Sequence, residues 1–224
     1  MFSNKKLYGL LIILTIIIGL MLTKEIKNYR SITTSATTEP LIAESSTPIP
    51  LGPADKPLGY IAAPITIVEY QDLGSQLGRQ IHAELSKFVR QHPESARLYF
   101  KHAPTASLIL TDGVLAHKAV LCAGGQRSKD GQPLSWDFLD ALISRNYNLR
   151  ESGLEQAAND AGLNLALWSA CLSADSTVAA IKKDYDEAVS LQLGAPPLIF
   201  INNKQLNTKL DINFSDLLSS LIAK

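Results

Sequence analysis

Three groups of side chains in this chain have the chemistry to form a reactive or ligating centre: Ser75, the cysteines Cys122 and Cys171, and four histidines. Ser75 ends the turn Asp72-Leu73-Gly74-Ser75, just before an amphipathic stretch. A side chain at a helix start faces unpaired backbone N–H groups and the positive end of the dipole, so an anion or an activated nucleophile is stabilised there. A serine hydroxyl becomes a nucleophile only beside a base. The same hydroxyl is a preferred helix N-cap, and that is its plainer role. Cys122 and Cys171 are widely spaced and do not make a zinc site without histidine. His82, His92, His102 and His117 show no paired metal-ligand spacing. They are expected at the surface or in packing roles, and neither a metal nor a cofactor is implied.

The elements that must position these residues follow from periodicity. Ile65, Ile67, Val68 and Tyr70 suit a packed central strand. Leu77, Ile81, Leu85, Phe88 and Val89 then recur at helical spacing. Residues 97–101 (RLYFK) predict a second strand. A helical block occupies roughly residues 111–192, with Gly153 and Gly162 as punctuation. Residues 198–201 predict a strand, Asn202-Asn203 a turn, Gln205 and Leu206 a short return strand, and residues 214–222 an amphipathic helix.

Ahead of this domain, taken as residues 58–224, lie two segments of different character. Residues 7–22 carry no charge and are flanked by Lys5 and Lys6 on one side and by Lys24, Glu25, Lys27 and Arg30 on the other. No small-residue cleavage site follows, so residues 1–30 are expected to be an uncleaved single-pass membrane anchor rather than a cleaved signal. Basic residues on both sides leave orientation open. Residues 31–57, rich in serine, threonine, alanine and proline, read as a flexible linker. Lysine plus arginine equals aspartate plus glutamate at 21 each, and no basic run is interleaved with aromatics. A nucleic-acid partner is therefore not expected.

Residues 65–85, ITIVEYQDLGSQLGRQIHAEL, resemble the DsbA-like branch of the thioredoxin superfamily. In that branch a V-T-I-V-E-F strand precedes S-D-F-x-C-x-x-C-R-x-F-H-x-E-L. Asp72, Arg79, His82, Glu84 and Leu85 stand in that frame, but the two cysteine positions hold Ser75 and Gly78, giving Ser75-Gln76-Leu77-Gly78. The resemblance continues in order through Leu121-Cys122-Ala123, Trp136-Asp137-Phe138 with Asp140-Ala141-Leu142, Ala170-Cys171-Leu172, and residues 198–203 (LIFINN). It implies an α/β, thioredoxin-like fold with a helical insertion. It also implies a domain on the outer side of a bacterial cytoplasmic membrane, facing the periplasm or the cell exterior.

The resemblance assigns further roles. Glu69 matches a buried acid beneath the family's active site, and a buried carboxylate needs a partner. In gapless register Pro197 takes the cis-proline position and Pro196 precedes it, where relatives use a backbone N–H to dock substrate; proline has none. If Pro196 is itself the cis residue, Ala195 keeps its N–H. Thiol–disulfide exchange needs a thiolate and a resolving thiol, so Ser75 and Gly78 exclude dithiol catalysis at this corner. In an oxidising compartment Cys122 and Cys171 are expected as a structural disulfide; a redox-active pair, or buried free thiols in a cytoplasmic domain, are the alternatives.

Three functions follow. The first is a membrane-anchored scaffold that binds protein or peptide partners without catalysis. The second is a glutathione-binding transferase-like enzyme using Ser75, as in kappa-class glutathione transferases. The third is a thiol–disulfide oxidoreductase running on Cys122 and Cys171.

Overall fold

The computed structural model describes residues 21, 41–44, 46–105, 112–208 and 213–222. The anchor expected over residues 1–30, apart from Met21, and the linker up to residue 40 lie outside the described residues. Among the described residues no helix is long and apolar enough to cross a membrane.

From Leu41 onward the described residues form one compact unit. Its centre is strand β1 (Ile65–Gln71), paired in parallel with β2 (Ala96–His102) and antiparallel with β3 (Leu198–Ile201). Strand β4 (Lys204–Leu206) completes the sheet in the order β2-β1-β3-β4. β1 is covered on both faces, so every residue but the half-buried Thr66 is buried, the polar Glu69 and Gln71 included. Ile65 and Ile67 enter a core that includes α1 (Gln76–Gln91), while Val68 and Tyr70 enter a smaller one with Tyr99, Ala188 and Phe200. On α1, Ile81, Leu85, Phe88 and Val89 are buried. Leu85 and Val89 are fully enclosed, each stabilising the fold by about 1.5–3 kcal/mol.

Among the described residues five helices separate β2 from β3: α2 (Asp112–Gly124), α3 (Ser135–Ser144), α4 (Glu151–Asp160), α5 (Leu165–Leu172) and α6 (Asp175–Ser190). α7 (Phe214–Ile222) closes the chain. Cys122 on α2 and Cys171 on α5 form a disulfide with Cα atoms 5.7 Å apart. The indole N–H of Trp168 donates to the Ala119 carbonyl at 3.1 Å, a second tie between the same helices. The β3–β4 turn has positive φ at both Asn202 and Asn203, as a two-residue hairpin turn that matches strand twist requires.

The linker expected over residues 31–57 is corrected in its described part. The Ala43 N–H donates to the Gln205 carbonyl, and Asn207 N–H to the Leu41 carbonyl, so this stretch lies along the free edge of β4. Ile49 is buried, and its N–H donates to Asn203 Oδ1 at 3.1 Å. Composition misleads here because an edge strand offers backbone partners to any extended segment, whatever its side chains.

Candidate functional site

The strand-to-helix corner is built from both ends. β1 delivers Glu69 and Gln71, the turn delivers Asp72, and α1 delivers Gly78, Arg79 and His82. Ser75 is the N-cap: its backbone is extended and its Oγ accepts the Gly78 N–H at 3.1 Å. Asp72 holds the turn through both oxygens, accepting from the Gly74 N–H at 2.9 Å and the Thr105 hydroxyl at 3.0 Å. Arg79 donates to the Leu73 carbonyl at 2.6 Å. Gly78 is buried, and a Cβ added there would lie 2.4 Å from Gln71 Oε1. The Gln71 side chain therefore fills the volume into which a side chain at position 78 would project.

Behind Gln71 lies a buried polar chain. Gln71 Nε2 donates to Glu69 Oε2 at 2.8 Å, and Glu69 Oε1 is 2.5 Å from His82 Nδ1. Glu69, Gln71 and His82 are all essentially inaccessible. Burial opposes charge on His82, but the adjacent Glu69 carboxylate outweighs it and raises the ring above its ordinary value. The pair satisfies Glu69's need for a partner, and removing either member would strand the other. His82 also stacks against Trp136 with ring planes 2° apart. Sequence reasoning did not pair His82 with Glu69. The signal was its register, three residues before Leu85 on the stripe that α1 buries.

Two more buried histidines meet beside this corner. His102 Nδ1 and His117 Nδ1 are 3.0 Å apart, and His117 Nε2 accepts the Leu73 N–H at 3.3 Å. Burial, with Lys101 nearby, lowers His102 to about 4. Burial likewise holds His117 well below its ordinary value, so both rings are neutral. The tautomers follow: His117 carries its proton on Nδ1 and donates to His102 Nδ1, leaving the His102 proton on Nε2. Of the four histidines only His92 is exposed. On the opposite face of β2, Lys101 is 1% exposed and contacts Asp55 at 3.1 Å, Glu187 at 3.4 Å and Asp184 at 3.6 Å. Asp55 sits in the stretch read from sequence as linker, so this contact also fastens that stretch to the domain.

The peptide bond between Pro196 and Pro197 is cis, so Pro196, without an N–H, is the residue preceding the cis-proline. Pro196 lines a groove of about 420 Å³ with Ala195, Leu193, Pro104 and Thr105. Thr105 is the residue bonded to Asp72, which connects the groove to the Ser75 corner. Cys122 is 2% exposed and Cys171 half-buried, and neither lines the Pro196 groove. Exchange requires a thiolate to reach a sulfur, and burial of Cys122 impedes it. The structure thus brings together Glu69, Gly78 and Ser75 at one corner, joins it to Pro196 through Thr105, and leaves the cysteines elsewhere.

The thioredoxin family model matches residues 53–220. No curated protein matches the chain by sequence. Among solved structures, the thiol-disulfide exchange protein alpha-DsbA2 from Wolbachia pipientis superposes with a TM-score of 0.62 at 13% identity, covering 76% of this chain and 87% of that one. Wolbachia pipientis alpha-DsbA1 gives 0.60 at 21% identity, covering 78% and 94%. The catalytic domain of Proteus mirabilis ScsC gives 0.61 at 16% identity, covering 79% and 93%. At these identities the likeness establishes the fold. Taken with the family match over most of its length, the sheet order and the helical insertion, it shows that this chain belongs to the thioredoxin family and has the fold of its DsbA-like members.

Proposed function

We propose that this protein is a membrane-tethered, extracytoplasmic DsbA-like domain that binds peptide or protein segments and does not catalyse thiol exchange at the Ser75 corner. One observation carries the reading: both positions of the dithiol are occupied by other work. The Ser75 hydroxyl caps α1, and the volume above Gly78 is filled by Gln71. A hydroxyl cannot form a reversible S–S bond, and no second thiol stands by to resolve one. The groove beside Pro196 has the apolar walls that an extended peptide would meet. The uncharged run at residues 7–22 supports the tether. The outer location draws on the disulfide and on one similar structure, a periplasmic thioredoxin-like protein from Salmonella enterica serovar Typhimurium. No nucleic-acid partner belongs to this reading.

The test pairs two assays on the full chain in detergent. In the first, reduction of a disulfide-linked fluorogenic peptide and oxidation of a dithiol peptide are both followed. Rates at the uncatalysed background are expected, unchanged by Ser75→Ala. In the second, a cysteine-free unfolded protein is titrated, and binding is expected to weaken in Ala195→Arg, which plugs the groove from an exposed position. Turnover that disappears in Ser75→Ala would overturn the proposal. Turnover dependent on Cys122 would favour an oxidoreductase running on the Cys122–Cys171 pair. Glutathione binding that requires Ser75 would favour the transferase-like reading.

A further inference from the structure

A second cleft opens at the outer edge of β2, between residues 54–56, α2, α3 and α6, with a volume of about 370 Å³. That is the size range of small-molecule sites. Its wall shares no residue with the Ser75 corner or the Pro196 groove. The cleft exists because β2 is an edge strand covered only in part. Leu58 pairs with Leu98 through two backbone bonds, and then the chain turns away at residues 52–55. Parallel pairing with β1 directs the backbone of residues 97, 99 and 101 inward, so the N–H and C=O of 98, 100 and 102 point outward. Leu98 is taken by Leu58, and the His102 N–H donates to Asp184 at 3.0 Å. The Phe100 N–H and C=O have no partner among the described residues, and Phe100 lines the cleft.

The polar groups of the wall divide sharply by role. Its two carboxylates are committed: Asp55 accepts from Lys101 and the Gly52 N–H, Asp184 from Lys101 and the His102 N–H. The uncommitted groups are mostly donors. Trp136, 4% exposed, stands behind the wall with its indole N–H enclosed and without an acceptor among the described residues. His102 keeps an Nε2–H with no partner among the described residues, by the tautomer chain through His117. Lys56 and Lys183 are exposed at the cleft, without a carboxylate partner among the described residues. Between these donors the wall is apolar, formed by Phe100, Val120, Pro133 and Leu139. An unpaired donor such as His102 Nε2–H on an apolar wall favours a ligand that brings an acceptor.

We propose that this cleft binds a small apolar monocarboxylate. The apolar body lies against Trp136, Phe100 and Leu139, and the carboxylate accepts from His102 Nε2 and from Lys56 and Lys183. The site is independent of the reading given above for the Ser75 corner.

The test uses the full chain in detergent with 15N-labelled tryptophan. The two indole N–H resonances are separable by role, since Trp168 already donates to Ala119 and should act as an internal reference. Phenylacetate is the probe and phenylacetamide its uncharged counterpart, each titrated to about 10 mM, ample for a ligand of modest affinity. The Trp136 resonance is expected to shift saturably with phenylacetate while Trp168 stays. The combined variant Lys56→Gln, Lys183→Gln changes only exposed side chains. It should weaken phenylacetate about fivefold, as for partly solvated ion contacts, and leave phenylacetamide unaffected. A Trp136 resonance that does not move overturns the proposal. So does an equal response to the acid and the amide, or an equal affinity in the lysine variant.

Discussion

Replacing Gly78 with alanine should destabilise the domain, although glycine inside a helix is normally the poorer residue. Alanine gains about 1 kcal/mol in helix propensity. Against this, its Cβ would lie 2.4 Å from Gln71 Oε1, closer than any relaxed contact. The amide cannot simply swing aside, because its Nε2 is bonded to Glu69 and the side chain is 1% exposed. Overpacking of a closed site costs about 1–3 kcal/mol. Taking about 2 for the overlap and subtracting the propensity gain leaves a net loss of about 1 kcal/mol. In a Gln71→Ala background the severe overlap is gone, only the Asp72 carbonyl oxygen at 3.3 Å stays close, and the same replacement should stabilise by up to about 1 kcal/mol. The coupling between the two positions is then up to about 2 kcal/mol, well above the scatter of independent sites. Urea unfolding of the wild type, both single variants and the double variant measures it. Equal stabilisation by Gly78→Ala in both backgrounds would refute the claim that Gln71 fills the space above position 78.

Three further outcomes are expected. Ser75→Ala should cost about 1 kcal/mol through loss of the helix cap, read as a lower urea midpoint with an unchanged slope; no loss would mean that the hydroxyl does not cap α1. Reducing the Cys122–Cys171 bond, which spans 49 residues, should cost up to about 4 kcal/mol by loop entropy, seen by unfolding with and without reductant at equal pH. Acid should destabilise the domain through His102. Its folded value of about 4 lies below the ordinary 6.5, so the unfolded state binds the extra proton between them. Stability is full above about pH 6.5 and falls by up to about 3 kcal/mol on descending to about pH 4. His82, raised in the fold, has the opposite dependence: its contribution is full at low pH and is lost as pH rises through its folded value. His102→Gln should make the acid limb of the urea midpoint against pH shallower, leaving the part due to His117, and leave the alkaline limb.

Local pattern was enough to read the order of elements, the family frame and the loss of both thiols. Strand β1 announces itself by Ile65, Ile67, Val68 and Tyr70, the β-branched and aromatic residues that a packed central strand prefers. Helix α1 does so because its core stripe repeats at helical period. The absence of cysteine at positions 75 and 78 is a matter of composition alone. Where side chains or backbones meet across long stretches of sequence, that pattern is silent. The segment 41–49 looks like a tether because it lies in a stretch rich in serine, threonine, alanine and proline, yet its backbone hydrogen-bonds the β3–β4 hairpin some 150 residues away. Nothing in the strand pattern of residues 97–101 announces that Asp55, Asp184 and Glu187 converge on Lys101 from two other segments. His82 and Glu69, and likewise His102 and His117, become pairs only when helix and strand are laid together. Periodicity reports which face of an element is buried. Which polar group waits on the opposite surface depends on how the elements pack, and so only the tertiary structure could show that Gln71 fills the place a second thiol would need.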